Sequence, residues 1–107
     1  MILTTTEGIP GREISEVLGV ATGNIVQSKH IGRDIMAGLK TIVGGEIRGY
    51  TEMLSEARNQ AVKRMIADAY EKRANAVVNI RFTTSAIMDG SSEIMVYGTA
   101  VRLKTEG

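Results

Sequence analysis

The feature that most constrains this chain is a periodic run between Tyr50 and Ala74. Tyr50, Met53, Leu54, Ala57, Ala61, Met65, Ile66 and Ala69 recur three or four residues apart, the spacing of one face of an α-helix. A strand cannot carry this pattern, because its side chains change face at every residue. The periodicity predicts a long helix capped at Thr51, with Glu52 in the first turn where the helix dipole favours a carboxylate. A helix with one apolar face needs a second layer to bury it.

The flanking sequence reads as that layer. Ile2 to Thr5 is a short strand, and Pro10-Gly11 suits a tight reversal. From Ile14 to Gln27 a long strand places Leu18, Val20, Thr22 and Val26 on one face and Val17, Gly19, Ala21, Gly23 and Ile25 on the other. Gly19 and Gly23 either let something approach the backbone closely or mark a bend or bulge. "GRDIMAGLKTIV", residues 32–43, has helical spacing and is stopped by Gly44-Gly45. After the long helix, Asn75 ends it in a left-handed conformation, and a strand puts Val78, Ile80, Phe82 and Thr84 on one face. The loop Asp89-Gly90-Ser91-Ser92 leads to a last strand whose Met95, Tyr97, Thr99, Val101 and Leu103 share a face. The fold class is α+β in a single domain, 1–107. Two β-hairpins flank a helical pair, with a mainly antiparallel sheet packed on one long helix.

Composition narrows the partners. The chain is 43% hydrophobic but only 4% aromatic, so Ile, Val, Leu, Met and Ala must build the core. A domain this small buries only about two-thirds of its unfolded surface, which makes self-association a natural further source of burial. The 13 basic and 12 acidic residues are scattered and leave a net charge of +1, which disfavours nucleic acid. No apolar stretch approaches the ~20 residues of a membrane span. The start MILTTTEG lacks the basic and apolar regions of a signal peptide, so the expected location is cytoplasmic. The chain has no cysteine, which removes disulfides, thiol nucleophiles and thiolate metal sites together.

"VGGEIRGYTEMLSEARNQAVKRM", "ANAVVNIRFTTS" and "YGTAV" together resemble the YbjQ family of small bacterial proteins, also labelled heavy-metal-binding. The likeness runs over essentially the whole chain. It implies an α+β subunit assembling into a ring, typically a pentamer, with no established activity. The metal label conflicts with the ligand inventory, because soft ions prefer sulfur and there is no Cys-x-x-Cys pair. The six Met residues are no substitute, since Met36, Met53, Met65 and Met95 fall at core-face positions where filling gaps is the ordinary role. No cofactor is implied.

The densest group of special residue types is "GGEIRGYTEML", residues 44–54. Its glycines could expose backbone N–H groups before a helix N-terminus, which suits an anion, or could simply stop one helix before the next. It is neither a dinucleotide fingerprint nor a phosphate loop. Glu46, Arg48 and Tyr50 are the ligand or interface candidates here. Arg58 joins them, because helical phase places it beside Leu54, Ala61 and Met65 within the apolar stripe. A desolvated arginine there needs a carboxylate, and Glu46 is the nominated partner, within the chain or across a subunit boundary; the alternative is an Arg stem lying on apolar surface with its head in water. His30, the sole histidine, is a weak metal candidate, since one histidine beside Asp34 fills a tetrahedral site only if other subunits contribute. No catalytic residues emerge. The leading reading is a homo-oligomeric module that takes a small ligand between subunits. The alternatives are a metal-binding protein using His30 across subunits, and an acid/base enzyme using Glu46 and Tyr50.

Overall fold

The computed structural model describes residues 1–28, 46–88 and 90–105. The elements in chain order are β1 (Ile2–Leu3), β2 (Ile14–Ser28), α1 (Glu46–Glu71), β3 (Ala76–Met88) and β4 (Ser91–Leu103). The strands form one mixed sheet in the order β1-β3-β4-β2. The second hairpin forms as the sequence suggests, with β3 and β4 antiparallel. The first does not: β1 runs parallel to β3, Ile2 opposite Ala76, and β2 pairs antiparallel with β4 at the opposite side of the sheet. The reversal at Pro10-Gly11 is present as a bond from the Arg12 amide to the Ile9 carbonyl, but it turns the chain across the sheet rather than back along it. The helix expected over 32–43 and its Gly44-Gly45 stop lie outside the described residues.

Helix α1 begins at Glu46, before the expected cap. Thr51 is therefore interior to it, and Glu52 lies beyond its first turn. The apolar stripe settles on Ala57, Ala61, Met65 and Ala69, all buried. Alanine at three of these four positions keeps the helix thin, so its backbone lies close to the sheet. Gly23 provides the matching gap: a Cβ there would collide with the Ala61 carbonyl oxygen and the Met65 nitrogen of the helix backbone. Gly19 takes the other reading of a strand glycine, with φ of +120° at a register shift between Val17 and Gly19. The two readings left open by the sequence thus each apply, at different glycines.

That shift corrects the face assignment in β2. Leu18 packs against the helix-side core with Ala21 and Ile25, whereas Val17, Val20 and Val26 are exposed. A second irregularity acts in β3, where Asn79 adopts a φ of 55° and the register with β4 jumps between Val78 and Arg81. Val77 and Ile80 join the helix-side core, and Val78 turns to the other face with Ala76, Val101 and Leu103, where Ile9 and Ile14 cover it. In β4 the helix side takes the alternate set, with Val96 and Ala100 fully buried. The left-handed residue after the helix is Arg73, φ 65°, not Asn75. Asn75 instead bridges to β4: its Oδ1 accepts from the Leu103 amide at 2.6 Å, and its Nδ2 donates to the Leu103 carbonyl at 3.2 Å.

Candidate functional site

Helix α1 runs along β2 and reaches β4, and among the described residues nothing covers the distal half of β3. Side chains on the helix flank seal the outer edge of β2. The Asp68 carboxylate accepts from the Thr22 amide at 3.0 Å, and Arg64 Nη1 donates to the Asn24 carbonyl at 2.8 Å. Lys72 Nζ lies 2.6 Å from Asp68 Oδ1, one turn along. That ammonium and the Thr22 amide together hold the Asp68 carboxyl below its ordinary value of 3.8, because both favour the charged form. Nearer the start of the helix, Gln27 Nε2 donates to the Met53 carbonyl.

On the other flank the surface is open. A groove of about 440 Å³ is lined by Leu3, Thr4, Thr5, Val62, Met65, Ile80 and Phe82. Its character is apolar, and of its two threonines Thr4 shares a hydroxyl bond of 2.7 Å with Thr6, whose Oγ1 also lies within bonding distance of the Gly8 carbonyl. Arg81 closes one end, donating from Nη1 to the carbonyls of Thr5 and Ile80. Among the described residues its lining holds no charged side chain, only apolar groups and two threonines, so it offers contact surface for an apolar group. Phe82, Ile87 and Met88 on the adjoining strand are 49%, 48% and 68% exposed.

The candidate residues from the sequence do not assemble into one site within the chain. Glu46, Arg48 and Tyr50 stand in the first turns of α1, so the backbone of residues 46–50 is helical rather than a loop. Their side chains lie outside the described residues, as does His30. Glu46 and Arg58 belong to the same unbroken helix, which sets them about 18 Å apart along its axis. That exceeds the combined reach of the two side chains, so a pair within the chain is removed, and the readings left are a pair across a boundary and an Arg58 whose head lies in water. Arg58 itself is exposed. It keeps the helical phase of the stripe, yet it stands one turn before Val62, on the flank of the helix that turns from β2 toward the groove. The residues that sequence reasoning missed are Arg64 and Asp68. Their only signal was the spacing Arg64, Asp68, Lys72 along one flank of the helix, which solvated charge runs share.

Over residues 1–104 the chain matches the family model YbjQ_1, whose description is "Putative heavy-metal-binding". The chain belongs to the YbjQ family. It is 75% identical over 104 residues to a UPF0145 protein of Colwellia psychrerythraea, covering 97% of this chain and 99% of that one. A UPF0145 protein of Archaeoglobus fulgidus is 60% identical, covering 97% and 96%. The fold is similar, at a TM-score of 0.59 and 16% identity, to a solved protein of unknown function from Pediococcus pentosaceus in the DUF74 family, covering 97% of this chain and 98% of that one.

The family description can be set against the donor set. Among the described residues no three His, Cys, Asp or Glu side chains come together as metal ligands. Met65 is fully buried in the core, and the chain has no thiol. Without cysteine the chain lacks the thiolate ligands that a soft ion prefers, and the described residues gather no His, Asp or Glu cluster in their place. Among the described residues no helix is long and apolar enough to cross a membrane.

Proposed function

We propose that this chain is the subunit of a cytosolic homo-oligomer, a ring of the pentameric kind its family resemblance implies. The ring takes a small ligand between subunits, and the chain carries out no chemistry of its own. The observation that carries this reading is uncovered surface. The exposed area is apolar in two places, the outer face at Val17, Val20 and Val26, and the distal half of β3.

Mass spectrometry of the untagged protein under native conditions tests the reading. It should report a closed ring of five subunits, with additional mass where a ligand has co-purified. A monomer at micromolar concentration would overturn it.

A further inference from the structure

The irregularity at Asn79 does more than change the faces of β3. Asn79 and Ile80 both turn their amides to the N-terminal segment, donating to the carbonyls of Thr6 and Thr4. That pairing brings Leu3, Thr4 and Thr5 alongside Ile80 and Phe82, and α1 adds Val62 and Met65, so three separate pieces of chain meet at the apolar groove. Met65, fully buried, marks its floor. Leu3 and Phe82, 38% and 49% exposed, mark its rim.

Arg81 follows Ile80 directly, and its tip returns to the groove. Nη1 donates to the carbonyls of Thr5 and Ile80 at 2.9 and 2.8 Å, and both of those residues belong to the lining. The two carbonyls are neutral, so they fix the guanidinium in place without cancelling its charge. Both bonds use Nη1, whereas a carboxylate is met in a two-bond fork by the edge that Nε and Nη2 form. One end of an apolar groove thus carries a positioned, permanent positive charge, and among the described residues no carboxylate lines that groove.

Resting on the ligand-taking part of the reading above and not on the ring, we propose that the groove binds a free medium-chain aliphatic carboxylate. Its hydrocarbon tail lies against Val62, Met65, Ile80 and Phe82, and its head meets Arg81. Charge complementarity selects the head, because an ammonium is repelled by the guanidinium and a hydroxyl leaves its charge unmet. Volume selects the tail. At about 440 Å³ the groove lies toward the small end of ligand sites, which suits one chain rather than the two of a membrane lipid.

Calorimetric titration of the untagged protein with decanoate tests this, with octanoate and octanol as comparators. Each buried methylene contributes about 4-fold, so decanoate should bind on the order of 10-fold more tightly than octanoate. Octanoate should in turn bind on the order of 10-fold more tightly than octanol, the preference that a charged hydrogen-bonded head supplies. Arg81→Gln should remove that preference and leave octanol unchanged, a result that general loosening of the fold would not give. Val62→Trp, which fills the groove from the half-buried flank of the helix, should abolish binding of all three. Equal affinity for octanoate and octanol, decanoate binding that survives Val62→Trp, or no decanoate binding at millimolar concentration would overturn the assignment. Should Arg81→Gln fail to fold by circular dichroism, Val62→Trp and the wild-type comparison of octanoate with octanol decide. A monomer that binds decanoate in this way removes the ring and keeps the groove; a ring that does not bind it removes the groove and keeps the ring.

Discussion

The two long sides of this sheet end differently. The outer edge of β2 is closed by its own helix, through Asp68 on the Thr22 amide and Arg64 on the Asn24 carbonyl. Among the described residues the outer edge of β3 is closed only as far as Arg81, by the N-terminal segment, and beyond it Phe82, Ile87 and Met88 are exposed. Both edges are long, and both belong to strands rich in β-branched residues. What separates them is the position of one helix. Its alanine stripe and Gly23 draw it over β2, and the one helix among the described residues does not reach across to the far part of β3. A closed edge adds stability to the protomer; the flank that holds the groove keeps contact surface for an apolar group.

The strongest way to break this contrast is to lift the helix. Gly23→Ala places a Cβ against two helix backbone atoms that cannot rotate away, so α1 must shift off β2. The expected loss is about 3 kcal/mol, at the upper end for overpacking, read as a lowered urea midpoint. A loss under about 1 kcal/mol would show that the helix seats more loosely than the close approach implies.

That glycine was visible in the sequence, and the tight-packing reading was one of two it allowed. The helix was legible as well, because Ala57, Ala61, Met65 and Ala69 repeat at a single spacing. The faces of β2 and β3 were not. Alternation presumes a regular pleat, and the irregularities at Val17–Gly19 and at Asn79 each invert the phase of the residues beyond them. The parallel pairing of Ile2 with Ala76 joins residues far apart in sequence, which no local pattern encodes. Arg58 was read into the apolar stripe from its phase alone. The phase holds, but burial also depends on what lies beneath that flank of the helix, and Arg58 is exposed.

Opening the closed edge chemically is a smaller perturbation. Asp68→Asn keeps an acceptor for the Thr22 amide but removes the charge that strengthens that bond and pairs with Lys72. The expected cost is about 1 kcal/mol at neutral pH. The pH dependence gives a sign to check. Because folding lowers the Asp68 pKa, its contribution is complete above the unfolded carboxylate value and disappears as pH falls through the folded one. Wild type and Asp68→Asn should therefore differ in thermal midpoint at pH 7 and converge below about pH 4. A difference that stays constant into acid would show that the carboxylate charge is not the cause.

Arg64→Ala removes the other half of the seal, an exposed bond to the Asn24 carbonyl. About 0.5 kcal/mol is expected from a solvated interaction of this kind. The informative readout is local: the Thr22 and Asn24 segment should exchange its amide hydrogens faster while the β3–β4 ladder stays unchanged. Equal acceleration in both places would mean that Arg64 supports the whole sheet rather than one edge.

The smallest effect on the protomer, and the sharpest separation of fold from assembly, is expected at Arg58. It is exposed and lies on the flank that turns from β2 toward the groove, so Arg58→Ala should change protomer stability by less than about 0.5 kcal/mol. Its proposed role belongs to the assembly, where Glu46 of an adjacent subunit could meet it, since the helix keeps its own Glu46 out of reach. Under that proposal Arg58→Ala lowers the concentration at which rings persist, and raising the salt concentration weakens wild-type rings toward the variant's behaviour, because an ion pair at a boundary is screened. A protomer unchanged in stability and a ring unchanged at every salt concentration would return Arg58 to a solvated side chain.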